Sequence, residues 1–285
     1  MKSNTFLSTS EDLLDKNKNN YSESLYIFSR NSVLTVAWSS SLLFALYILA
    51  FYVGSTIKGH PERWNQILPG LHNPNNITAS NGLMLHMLAG ALILLMGCLQ
   101  FISPIRNKFP AFHRTIGKVY VLSSILAAVG GLSYILLQGT IGGFMMNVGF
   151  GLYGLLTLFA GIKTFYYARL KKFDKHWEWA LRLFALGIAS WLYRMYYGFW
   201  IILAGRLWRT PDFQGSFDMI MDFFFYIPNL IIIEFYIRYK DKSIHPVLKT
   251  IVSILFLITS IFFSIGTYYF TKYYWGPAIF EYLNN

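Results

Sequence analysis

The sequence predicts an all-α fold, a polytopic transmembrane helix bundle of about seven spans with its N-terminus cytoplasmic. Three observations carry that expectation. The chain is 55% hydrophobic and 19% aromatic but only 13% charged, which is too apolar for a soluble domain of this length. Apolar runs recur at about the 20 residues needed to cross a bilayer core, and they are continuous, lacking the alternation of barrel strands. Finally, the basic residues are segregated. Sixteen Lys and Arg, from Lys2 to Lys249, fall on one side of the expected spans, against five (Lys58, Arg63, Arg206, Arg209 and Lys272) on the other. The positive-inside rule assigns the richer side, and with it the N-terminus, to the cytoplasm. The net charge of +11 therefore reads as a topology signal and gives no reason to invoke nucleic acid.

In chain order, residues 1–32 are rich in Asn, Ser, Lys, Asp and Glu and are expected to form a mobile polar tail. The transmembrane domain is expected over 33–275, with spans at 33–53, 82–102, 117–137, 141–167, 177–203, 217–236 and 247–270, and a short external tail over 276–285. The first run is too long, and begins too late, for a signal peptide, so it is read as a retained helix. The loop 55–81 is the longest external segment and holds His60, His72, three prolines and the sequon Asn76-Ile77-Thr78. Cys98 is the single cysteine, so no disulfide can form within the chain. In the fourth span Asn147, Gly151, Gly154 and Gly161 share a face, as in a closely packed central helix, though the same face would make room for a flat cofactor. Pro228 is expected to kink the sixth span.

The fifth span organises the polar interior. It opens on Asp174, His176 and Glu178 and carries Arg182 and Arg194. A guanidinium at the bilayer centre costs about 2.5–3.5 kcal/mol on insertion scales, so such residues face the bundle interior and meet a counter-group. By the expected boundaries, Asp218 and Asp222 lie at the level of Arg194, and Glu234 at the level of Arg182. The expected pairs are thus Arg194 with Asp218 or Asp222, and Arg182 with Glu234.

Three histidines lie in or beside spans. His86 shares a face with Gly82 and Gly90, and His113 with Gly117 and Tyr120. Such glycines would give a porphyrin backbone clearance, and neutral imidazole is a common axial ligand for haem iron. The expected boundaries put His86 near the outer face and His113 and His176 at the inner face. Iron–nitrogen bonds of about 2 Å cannot bridge a core about 30 Å thick, so His113 and His176 are the candidate axial pair. Arg114, Arg182 and Arg194 would then meet propionates or a quinone. No nucleotide-binding glycine loop, nucleophile elbow or zinc motif is present in the sequence.

The ordered set Leu85-His86…Gln100-Phe101…Arg106…His113-Arg114…Gly117…Tyr120…His176…Trp179…Arg182…Arg194 resembles an uncharacterised family of bacterial predicted membrane proteins, the domain of unknown function DUF2306. The resemblance covers roughly 81–194. It implies a helical membrane core and singles out those histidines and arginines together with Gln100, but supplies no reaction. Trp177 and Glu178 stand where the family pattern has further basic residues. The outline is also similar to membrane b-type cytochromes.

Three readings follow. One is a redox protein of a bacterial inner membrane, holding haem b and exchanging electrons with a quinone or another external donor. A second is a cofactor-free transporter or lipid-handling protein that binds an anionic substrate through the same His/Arg/Asp set. The third is a structural membrane subunit.

Overall fold

The computed structural model describes residues 10–240, 242 and 245–284. Helix α1 spans Ser10–Ile48 and runs on through a π-helical turn, Leu49–Val53. After a folded loop come α2 (Ile77–Met96), α3 (Pro110–Leu137) and α4 (Gly143–Arg169). Then follow α5 (Phe173–Gly187), α6 (Ala189–Ala204), α7 (Ser216–Phe224), α8 (Ile227–Tyr239), α9 (Pro246–Phe270) and α10 (Gly276–Asn284). Six helical segments among the described residues are long and apolar enough to cross a membrane.

The expected fifth span is not one of the six, because it is broken in two. α5 and α6 part at Ile188, and the five charges of 174–194 keep its hydropathy low. The hydrogen-bond ladder nevertheless passes through the break: Ile188 N donates to Phe184 O and Leu192 N to Ile188 O, each at 3.1 Å. The sixth span is likewise split. Pro228, in the first turn of α8, has no N–H to continue the ladder, and Asn229 Nδ2 donates to Phe225 O at 2.8 Å beside the gap.

Both tails differ from expectation. Residues 1–9 of the polar N-terminal segment lie outside the described residues, but α1 begins at Ser10, well before 33. Extending a helix already nucleated costs little even through polar residues. Residues 276–284, expected as a tail, form α10, which packs on the π-helical turn of 49–53 and is held by an Arg63–Glu281 ion pair at 2.8 Å.

The chain divides into two compact units. Of the described residues the first comprises 10–40 with 242 and 245–267, a pairing of α1 with α9 in which Tyr26 meets Phe256 and Glu23 meets Lys249. The second comprises 41–240 with 268–284 and contains every candidate site histidine, arginine and acid. Its tightest seam joins α2 to α3. A Cβ added to Gly130 would lie 2.5 Å from Gly82 O, so only paired glycines allow the two backbones this approach. Helix α4 packs on α3 through Gly154 and Gly161, and on α7 through Gly149. Gly151 meets nothing within 4 Å, and the Asn147 side chain accepts from Thr140 N and Oγ1 at 2.8 Å. The expected small-residue face is thus part packing surface and part loop clasp.

On the loop side, Trp64 is buried and donates to Tyr52 O at 3.0 Å. Asn76 of the sequon caps α2, accepting from Ala79 N at 3.2 Å while its amide nitrogen donates to Leu137 O at 2.9 Å.

Candidate functional site

The polar residues fall into two groups, one at the end where α3 and α5 begin, the other deep inside. The first end carries Arg106, Arg114, Arg169, Lys171, Lys172 and Lys175 and is called the basic end below. There His113, on the first turn of α3, lies within electrostatic reach of His176, Arg106 and Arg114. His176 Nδ1 is 2.9 Å from Thr164 O. A carbonyl only accepts, so this nitrogen carries a proton, and in the neutral ring Nε2 presents its lone pair. His113 Nδ1 and Gln100 Nε2 are buried without a hydrogen-bond partner among the described residues. Arg114 is exposed.

Nearly two turns deeper, Arg182 Nη2 meets Glu234 Oε2 at 2.7 Å, Nε joins the same oxygen at 3.1 Å, and the guanidinium stacks 4.8 Å from the Trp179 ring centre. Glu234 also bonds Arg238, at 3.2 Å. Two donors from one guanidinium on one carboxylate, backed by a ring, form a closed charge cluster.

The deeper group departs from expectation at three points. His86 is not near a helix end. Because Asn76 starts α2 at Ile77, His86 stands tenth of twenty residues in that helix, roughly 14 Å from its start at 1.5 Å per residue. Its Nδ1 donates to Ala127 O at 2.8 Å, and Gly131 opposite has no side chain to displace the ring. Nε2 is again left with its lone pair.

The second correction concerns the glycines. The space at Gly82 is filled by Ser133 and Gly130, and that at Gly117 by Gln100 Oε1, 3.0 Å from where a Cβ would sit. Helix packing uses the clearance that a porphyrin would need at these two positions, whereas Gly90 does have open space beside it.

Third, Arg194 does not pair with Asp218 or Asp222. The residue before it, Tyr193, and Tyr197 one turn on point toward α7: Tyr193 packs on Phe225, and the Tyr197 hydroxyl donates to Asp218 Oδ1 at 2.8 Å. Arg194 is turned about 100° from Tyr193 around the helix. It reaches the far end of α1, with its guanidinium 5.3 Å from the Phe44 ring centre and 5.7 Å from that of Tyr193. Tyr47, Tyr52, Tyr153, Tyr193 and His86 lie within electrostatic reach of it. No carboxylate among the described residues lies within ion-pair distance of it.

Asp218 is satisfied elsewhere. Fully buried, it accepts from the Tyr197 hydroxyl, from Arg209 Nε at 3.4 Å, and from the backbone N–H groups of Thr210 and Gly215 at 3.1 Å. Asp222, one turn on and equally buried, has no hydrogen-bond partner on either oxygen among the described residues.

Sequence reasoning missed Arg209 and the tyrosines. Arg209 sits in a loop, where a cation is unremarkable. Tyr193 and Tyr197 are spaced i, i+4 in the middle of a span, away from the interface where tyrosine is commonplace, and that spacing was the available signal.

Helices of spanning length around a polar interior define the class, an integral, multi-pass helical membrane protein. The family model described as Predicted membrane protein (DUF2306) matches residues 83–237, and the chain belongs to that family. The matched stretch runs from α2 into α8 and includes His86, Arg194 and Asp222. No curated protein and no solved structure matches the chain.

Proposed function

We propose that this protein binds an anionic amphiphile within the membrane, as a transporter or lipid-handling protein, with Arg194 as the binding cation. The substrate class is a carboxylate or phosphate on an apolar body. The observation that carries this reading is a guanidinium ten residues from the end of α6, about 15 Å deep by helix rise, with aromatic rings but no carboxylate within ion-pair distance among the described residues. A cation at that depth is costly until an anion joins it. His86 Nε2 and the tyrosines around Arg194 supply polar wall, and the rings supply the apolar one. The positive-inside count supports placing the basic end in the cytoplasm, and the family resemblance supports a bacterial inner membrane.

The test is ligand-induced thermal stabilisation of the purified protein, read by tryptophan fluorescence. Oleate or dodecyl phosphate is expected to raise the midpoint by several degrees at a hundredfold excess over the dissociation constant, and dodecanol to raise it far less. Arg194→Gln is expected to abolish the difference and Arg182→Gln to keep it. Equal responses to charged and neutral chains, or an unchanged response in Arg194→Gln, overturn the reading.

One observation favours a second reading, haem b held between His113 and His176: the Nδ1–H of His176 is fixed on a backbone carbonyl, as in many ligating histidines. Gln100 filling the space at Gly117 weighs against it. Bound haem would supply one-electron chemistry, with Arg106 and Arg114 as the nearby cations for its propionates. A reduced-minus-oxidised visible spectrum of haem-supplied protein that shows no change removes it.

A further inference from the structure

We propose that Asp222 is a binding site for a small monovalent cation, a proton or Na⁺. The site stands apart from whatever Arg194 binds. The side chain of Asp222 has no exposed surface, and neither carboxylate oxygen has a hydrogen-bond partner among the described residues. A bare carboxylate in such a place carries a desolvation cost of several kcal/mol unless a positive charge joins it.

The groups facing it supply none. On its own helix the facing group is the carboxyl of Asp218, a like charge one turn away. From α6 it is Tyr193, from the turn before α8 it is Tyr226, and from α4 it is the backbone of Gly149, where a Cβ would stand 2.5 Å from Asp222 O. The Tyr226 hydroxyl is spent on Gly149 O at 3.2 Å.

A second, independent observation points to a ligand. The Tyr193 hydroxyl, within electrostatic reach of Asp222, is also buried, and among the described residues it meets the Tyr197 hydroxyl only outside good hydrogen-bond geometry. The two Asp222 oxygens thus have unused capacity, and the Tyr193 hydroxyl lies within electrostatic reach of them. All can accept from a proton or water, or coordinate Na⁺.

Polar side chains continue from the site toward the loop after α6. Arg209 bonds Asp218, Asp218 accepts from Tyr197, and the Tyr197 and Tyr193 rings lie 4.6 Å apart. This polar line runs from the 205–215 loop toward Asp222.

The full chain in nanodiscs provides the test. Thermal midpoints are measured with NaCl against choline chloride at constant ionic strength, and across a pH series, for wild type and Asp222→Asn. A cation held at Asp222 stabilises the wild type by roughly 2–4 °C per tenfold rise in its concentration above the dissociation constant. The response to NaCl identifies Na⁺, and the response to acidity alone identifies the proton. Asp222→Asn is expected to lose the response while folding normally.

Labelling of wild-type Asp222 by dicyclohexylcarbodiimide, located by mass spectrometry, keeps the proposal testable if that variant does not fold. Labelling is expected to fall with added NaCl for a sodium site, or with rising pH for a proton site. Equal cation responses in wild type and variant overturn the proposal. So does labelling of Asp222 that is absent or indifferent to both cations. Arg194→Gln is expected to keep the cation response, so a failure of the anion reading is told apart from a failure at Asp222.

Discussion

Arg182 and Arg194 lie twelve residues apart in one broken helix and look alike in the sequence, yet their surroundings have opposite character. Arg182 is closed off: Glu234, Glu178 and the Trp179 ring enclose it, with Arg238 completing the network. Among the described residues Arg194 is held by the faces of Phe44 and Tyr193 and by no carboxylate within ion-pair distance. The same contrast repeats in the acids, since Asp218 is saturated with donors and Asp222 has none among the described residues. A charge that has spent its hydrogen-bonding capacity on protein fixes helix register. One that has not is available to a ligand. Inside a single family core the two cases can be told apart by their hydrogen bonds, whereas residue type is the same for both.

The contrast can be broken most severely at the seam that carries the deep group. Gly130→Leu drives a side chain into Gly82 O and the α2 backbone. It is expected to cost at least about 3 kcal/mol, at the upper end of overpacking, and to show as loss of monodisperse protein on size exclusion. Asp218→Ala strips four donors of their acceptor at a fully buried position. It is expected to destabilise by about 3 kcal/mol, as breaking buried charged hydrogen-bond networks does, measured as a lowered unfolding midpoint.

Smaller effects sharpen the comparison. Arg182→Ala and Glu234→Ala are each expected to lose about 1–2 kcal/mol, because the pair is only half-buried. The double variant should lose clearly less than the sum, a coupling that a double-mutant cycle reads directly. Arg194→Gln is expected to fall within about 0.5 kcal/mol of wild type without ligand, or above it, since no ion pair is lost. If Arg194→Gln proves as damaging as Arg182→Ala, the two arginines are alike and the division into closed and open charge fails.

Much of this was legible in the chain. Continuous apolar runs can satisfy their backbone in lipid only as helices, so the class follows from composition and run length. Matching the depths of Arg182 and Glu234 on antiparallel neighbours was enough to bring those two together. Depth alone could not place Arg194, because depth says nothing of the direction a side chain takes around its helix. With Tyr193 and Tyr197 turned toward α7, Arg194 had to turn away, and Arg209 reached Asp218 from a loop whose path no periodicity encodes.

The sequence by itself determined a multi-pass helical membrane protein with histidine, arginine and aspartate submerged in its interior, because hydropathy and length are local properties of the chain. Only the tertiary structure decided which of those charges are spent and which are open. Hydrogen-bond capacity is used up by groups distant in sequence, such as Tyr197 and Arg209 on Asp218 and the Ala127 carbonyl on His86, and their meeting depends on helix phase and loop path.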